Sequence, residues 1–246
     1  MNVRLPIFTA IMLLGAYLFT GCEDDDNPLE NPADMPYDVV IDPTQFEDTI
    51  TGNDFFPLIS GTTMTYVGEN EDGEVVRVEE TITADTKTVM GVTCIVVRAR
   101  EWEGGEEVED TYDWYAQDTL GNVWYFGEDS HEISGGQPVS SAGSWEAGVD
   151  GALPGIIMLA HPIEGLWYRQ EYWEGEAEDV AQVLSLNESV TVPYGTFDNC
   201  LQTAEWNPLE PGILEHKYYA SGVGIVKVVA IKGESGYEAL TEITTE

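Results

Sequence analysis

Beyond Thr62 the chain alternates apolar with polar residues at a period of two, the repeat of a pleated strand with one buried face. Met64-Thr65-Tyr66-Val67 begins the series, the acidic turn Glu71-Asp72-Gly73 follows, and Val75-Val76-Arg77-Val78 resumes it. Further strands are predicted at Thr88-Val89, Cys94 to Arg98, Tyr112 to Tyr115 and Val123 to Phe126. Glu103-Gly104-Gly105 and Leu120-Gly121-Asn122 punctuate them as hairpin turns, where glycine supplies the positive φ that tight turns demand. No segment holds a helical period for ten residues; Val180 to Leu186 comes nearest and reads equally well as a strand. The pattern predicts an all-β, antiparallel meander.

The second half echoes the first. Gly91, followed by Cys94 and Val97, corresponds to Gly195, followed by Phe197, Cys200 and Thr203. Trp114-Tyr115-Ala116 corresponds to Tyr218-Tyr219-Ala220, and Gly121 to Trp124 corresponds to Gly224 to Lys227, at offsets of 103 or 104 residues. Upstream, Tyr66 before its acidic turn matches Tyr172 before Glu174-Gly175-Glu176. A single β domain over residues 54–246 is therefore expected, built from two pseudo-repeats of about 54–130 and 160–232. A glycine-rich loop from Ser134 to Gly155 joins them. Repeated meanders of this kind curl into an open or closed barrel, which covers their strand edges.

The N-terminus changes the picture. Arg4 precedes an apolar run from Leu5 to Phe19, too short to span a bilayer and matching the apolar core of a signal peptide over residues 1–21. The run ends in Leu18-Phe19-Thr20-Gly21-Cys22, which resembles the lipobox of bacterial lipoproteins, with Phe19 where an aliphatic residue is usual. The resemblance implies cleavage before Cys22 and acylation of that cysteine with palmitate-type chains. Residues 22–53 then read as an acidic, proline-rich tether, with Glu23-Asp24-Asp25-Asp26 directly after the cysteine. That acidic run resembles the surface-export signal of lipoproteins from the Bacteroidetes group; read without the resemblance, it is a solvated spacer. A lipid anchor in the outer membrane, on its periplasmic face or at the cell surface, is expected.

Eight basic residues stand against 46 acidic ones after Gly21, a net charge of −38. Phosphate backbones would be repelled, so nucleic acid is excluded as a partner. Screening in a salty exterior would relieve the self-repulsion, and the charge alone suggests a marine or halophilic source. With Cys22 acylated, Cys94 and Cys200 remain, and export permits a disulfide between them. The alternative is two buried, unpaired thiols on separate strands.

Motifs that carry chemistry are scarce. There is no Gly-x-Ser-x-Gly elbow, no His-Glu-x-x-His and no phosphate-cradling glycine loop. His131, His161 and His216 lack ligand spacing, so no metal site and no catalytic residue is assigned. Asn70, Asp72, Gly73 and Glu79 fall at the third, fifth, sixth and twelfth places of an EF-hand loop, but Gly68 holds the first place and strands flank it. No cofactor is assigned; the acidic runs Glu101–Asp113 and Glu171–Asp179 could bind calcium through oxygen ligands or form solvated strand faces. Adjacent aromatics are more informative, because neighbours on a strand face opposite ways. One of each pair fills the core while the other lines a groove or packs under a covering loop; Trp114, Trp124, Tyr168 and Tyr218 are the candidate ligand contacts.

Thr111-Tyr112-Asp113-Trp114-Tyr115-Ala116-Gln117-Asp118 with Gly121-Asn122-Val123-Trp124-Tyr125-Phe126-Gly127-Glu128 resembles a widespread family of uncharacterised bacterial exported proteins. Gly143 to Gly148 and Tyr218-Tyr219-Ala220 belong to the same pattern. The segment from Gly195-Thr196-Phe197 through Gly224-Ile225-Val226 is also similar to half-barrel lipoproteins of the LolA type, which implies a lipid-cradling groove. The reading is a membrane-anchored module of the cell envelope that binds an apolar or glycan ligand or serves structurally. Two rivals are a secreted hydrolase using two carboxylates and a calcium-stabilised adhesion or assembly protein.

Overall fold

The alternating pattern folds into antiparallel strands throughout, with no α-helix among the described residues. The computed structural model describes Ala33, residues 35–47, Ile50 and residues 52–245. The expected signal peptide, Cys22 and the acidic run behind it lie outside these residues. The strands in chain order are β1 (Phe46–Glu47), β2 (Thr62–Glu69), β3 (Val75–Val89), β4 (Val92–Glu103), β5 (Glu106–Asp118), β6 (Val123–Ser134), β7 (Gln137–Ser140) and β8 (Trp145–Glu146). They continue as β9 (Leu153–Met158), β10 (Trp167–Arg169), β11 (Glu171–Tyr172), β12 (Val180–Val192), β13 (Gly195–Trp206), β14 (Leu214–Ala220), β15 (Gly224–Lys232) and β16 (Tyr237–Thr245).

These strands form one sheet in the order β10-β12-β13-β14-β15-β16-β2-β3-β4-β5-β6-β9-β11. Its two terminal strands, β10 and β11, are consecutive in the chain with only Gln170 between them. The sheet is thereby curled into a nearly closed barrel. Two meanders, β3–β6 and β12–β15, occupy the two halves of the wall. The junction between them is made by β16 on β2, where Leu240 faces Tyr66 across the ladder.

Both faces of much of the wall are buried. The interior core holds Tyr66, Ile82, Leu201, Tyr219 and Leu240, each fully or almost fully enclosed. Burying a side chain of this size contributes roughly 1.5–3 kcal/mol. On the outer face of β4–β6, Cys94, Trp114 and Phe126 form a second cluster under Trp145, Ala147 and Ala152 of the long connection after β6. This connection is the glycine-rich loop of the sequence; it contributes β7 and β8 to the edge of β6 and starts β9.

The stretch expected to be a tether is docked along its C-terminal part. Phe46 and Glu47 pair with β5, the Phe46 ring meets Phe126 edge-on at 5.4 Å, and Ile50 is buried in the core. The Tyr37 hydroxyl donates to the Pro154 carbonyl at 2.9 Å. Apolar residues spaced through an otherwise polar segment account for this docking. Cys94 and Cys200 are both buried free thiols, in place of the disulfide. Cys94 belongs to the cluster outside β4–β6 and Cys200, on β13, to the other, so the two thiols pack in separate clusters.

Candidate functional site

Along β5, Glu109, Thr111, Asp113 and Tyr115 share one face by the strand period, and that face is the inside of the barrel. The interior is therefore acidic where a core would ordinarily be apolar. Glu80 on β3, Asp113 on β5, Glu128 on β6, Glu171 on β11 and Glu205 and Glu215 on the opposite wall all line one cavity of about 160 Å³. A void of roughly 150 Å³ accepts a ligand the size of benzene.

Gly127 sets the geometry at the centre of this site. Asp113 faces Glu128 and Tyr115 faces Tyr125, so two steps along β5 match three along β6. The extra β6 residue is a bulge, and it turns both Tyr125 and Glu128 inward, three residues apart, where regular alternation would oppose them. Gly127 holds the bulge at φ +124°, and a Cβ there would stand 2.3 Å from the Trp145 carbonyl oxygen of β8. Only glycine fits both demands.

The cavity is graded along the barrel axis. At one end the segment through Phe56, Pro57 and Leu58 closes it, with the Phe56 ring edge-on to Tyr115 at 5.2 Å. Met64, Ile82, Val97 and Ile225 continue this apolar wall, and Tyr115 stacks on Tyr125 at 5.0 Å. The carboxylates lie further up, and at the far end the lining runs out to the loop residues Asn207, Glu210 and Glu234.

Two carboxylate groups differ in how they are satisfied. Glu205 accepts from Thr203 Oγ1 at 2.6 Å, Tyr219 Oη at 2.9 Å and Gln170 Nε2 at 3.1 Å, and its second partner group is the Lys217 ammonium at 2.9 Å. Burial pushes Glu205 up, but Lys217 and these hydrogen bonds outweigh it and hold the carboxylate below its ordinary range. Burial alone would lower Lys217; attraction to Glu205 and Glu215 raises it instead. Across the cavity the compensation falls short of the burial: Tyr125 lowers Glu128 and Trp145 lowers Glu171, but both carboxyls stay raised. Glu128 Oε2 and Glu171 Oε1 have no hydrogen-bond partner among the described residues. Burial, followed by repulsion from Asp113 and Glu171, pushes Glu128 far up; burial, followed by Asp179, does the same to Glu171. Burial also lifts Asp113 to about 7, against the hydrogen bond from Tyr125 Oη at 2.7 Å. Glu80 rises to about 7 through burial and then repulsion from Asp113.

The four aromatics singled out by sequence stand elsewhere. Trp114 lines a shallow recess of about 330 Å³ on the outer wall, beside Trp145 and Trp173. Lys87 Nζ lies 3.3 Å above the Trp114 ring and 2.7 Å from Glu146, so the chain's own cation already covers that ring. Trp124 donates from Nε1 to Asp118 at 2.9 Å, Tyr168 is packed in the interior core, and Tyr218 hydrogen-bonds Gln202 at 3.0 Å. The cavity is lined by their chain neighbours Tyr115, Tyr125 and Tyr219. His131, His161 and His216 fall on β6, on the loop after β9 and on β14. Of the acidic runs considered for calcium, Asp113, Glu171 and Asp179 reach the cavity, yet among the described residues no three His, Cys, Asp or Glu side chains converge on one ion position. Glu80, Glu128, Glu205 and Glu215 carry no such sequence signal; what could have found the site is Gly127 inside a strand, together with Asp and Glu at the inward phase of β5.

Fold and cavity together define an all-antiparallel, nearly closed β-barrel with an acid-lined interior. Its wall is similar to that of a Bacteroides fragilis protein assigned as exported and having a YmcC-like fold. The two are 16% identical, with a TM-score of 0.47, over 78% of this chain and 99% of that one. A protein from Parabacteroides distasonis assigned as a lipoprotein is similar at 14% identity and a TM-score of 0.42, over 77% of this chain and 98% of the other. No family model and no curated protein matches the chain.

Proposed function

We propose that the protein is an exported, lipid-anchored module of the cell envelope whose barrel interior binds a small ligand. The observation that carries the binding is the cavity itself: about 160 Å³ of space inside the wall, with the donor-less oxygens of Glu128 and Glu171 on its lining. A protein built only for packing would fill such a space with side chains, because interiors approach the density of organic crystals. The anchor rests on the apolar run to Phe19 and on Cys22, and places the barrel outside the bilayer at the end of the segment before Tyr37.

Two measurements test this. Full-length protein is released from host membranes in non-ionic detergent and weighed by native mass spectrometry. A co-purified small molecule is expected, and Ala99→Phe, which fills the cavity from β4, should expel it. Wild-type protein that carries no adduct and gains no thermal stability from any member of a small-molecule panel refutes the binding. Cys22→Ser should shift the protein from the membrane pellet to the soluble exported fraction and abolish palmitate labelling; unchanged pelleting refutes the anchor.

A further inference from the structure

The charges inside the barrel do not balance. Lys217 is the one lysine or arginine lining the cavity among the described residues, and it pairs with Glu205. Facing it are Glu80, Asp113, Glu128 and Glu171, brought from four strands. Glu128 and Glu171 are only 3% and 2% exposed, and each keeps an oxygen without a partner among the described residues while lining the cavity. A buried acceptor without a donor is costly, and a buried carboxylate without a counter-charge more so. The space in front of these oxygens holds no positive charge among the lining residues.

The rest of the lining says what kind of cation fits. An inorganic divalent ion wants six or more oxygens in one shell, and the carboxylates do not converge on one. Below them the wall is aromatic and aliphatic, formed by Phe56, Tyr115, Tyr125 and Ile82. Such rings offer a face to an organic cation and apolar contact to its body. Above them the rim is acidic: Glu234 is half-buried beside Glu71 and Glu210, and burial followed by their repulsion raises its carboxyl. A mouth of one sign concentrates ligands of the other.

The geometry points to a small organic cation as the ligand, its ammonium head held by Asp113, Glu128 and Glu171 and its apolar body laid on Tyr115, Tyr125 and the Phe56 plug. This rests on the ligand-binding reading above and narrows it to one chemical class. Bound there, the cation would donate hydrogen bonds to the two orphan oxygens and supply the charge that Lys217 gives to Glu205.

Three probes of one shape and different head charge separate the possibilities: benzylammonium, benzyl alcohol and benzoate, titrated calorimetrically into the detergent-solubilised full chain near neutral pH. Benzylammonium is expected to bind at least about tenfold more tightly than benzyl alcohol, and benzoate not at all, because a charge-assisted hydrogen bond is roughly twice as strong as a neutral one. The double variant E128Q/E171Q should bring benzylammonium down to the affinity of the alcohol. The single variants E128Q and E171Q, run beside it, each lose part of that preference and keep the comparison intact if the double variant fails to fold. Equal binding of ammonium and alcohol, or an ammonium preference that survives both single variants, overturns the cation and leaves the cavity reading standing. Displacement of bound benzylammonium by micromolar calcium chloride also overturns it, in favour of an inorganic ion. Failure of all three probes overturns both.

Discussion

Asp113→Asn is expected to make the ligand-free barrel more stable at pH 8 and to leave it almost unchanged at pH 3.5. Burial holds the Asp113 carboxyl at about 7 against an ordinary 3.8, so the folded state keeps a proton that the unfolded chain gives up. A raised carboxyl contributes its full stability below the unfolded value near 4 and loses it as pH climbs through about 7. The gap of roughly three pH units corresponds to a ceiling of about 4 kcal/mol. Glu128 directly opposite on β6 and the nearby Glu171 titrate with Asp113, so about half that ceiling, ~2 kcal/mol, is expected. Asparagine keeps the volume and still accepts from Tyr125 Oη, which isolates the charge. For a domain of this size ~2 kcal/mol is a rise of about 4–8 °C in Tm at pH 8, read by calorimetry at both pH values. An Asp113→Asn variant that melts lower than wild type at pH 8, or gains equally at pH 3.5, would refute the account of the interior as a store of uncompensated charge.

Other outcomes follow from the same contacts. Lys217→Met strands Glu205 without its counter-ion and should cost about 3–5 kcal/mol in urea denaturation near neutral pH; adding Glu205→Gln should recover part of it. Gly127→Ala forces a Cβ to within 2.3 Å of the Trp145 carbonyl at a positive φ, and a loss of at least ~2 kcal/mol with a shifted Trp fluorescence is expected. Cys94 and Cys200 should resist maleimide in native protein and react only after unfolding, with no change in mobility between reduced and non-reduced gels. Protein run with a second, faster band under non-reducing conditions would contradict the free thiols.

The fold was readable from the chain wherever alternation was regular. The turns at Glu71-Asp72-Gly73 and Glu103-Gly104-Gly105 are legible by composition alone, and the strands Met64–Val67, Val75–Val78 and Cys94–Arg98 beside them fall within β2, β3 and β4. The site was less readable because it depends on phase. Trp114-Tyr115 and Trp124-Tyr125 each present one ring to either face, and nothing in a dipeptide says which face will be the lumen. Here the loop after β6 covers the tryptophans from outside, so the tyrosines point inward. The bulge at Gly127 then shifts the parity of β6, which strict alternation cannot anticipate. Charged residues are ordinarily placed on the solvent side, and that expectation sends Glu80, Asp113 and Glu128 to the wrong side of the wall. The docking of Tyr37, Phe46 and Ile50 escaped notice for a similar reason: isolated apolar residues among prolines and acids carry no periodic signal.

The pairing of β2 with β16 has a consequence for how the chain is made. Residues 62–69 find one of their two neighbours only in residues 237–245, so one edge of β2 stays unsatisfied until that distant segment has been made. Pairings of such sequence separation fold slowly, since the loop between them must be closed before any contact repays it. The hairpins from β2 to β6 and from β12 to β15 pair strands adjacent in the chain and can form early, whereas the wall between the two halves closes only when residues 237–245 meet residues 62–69.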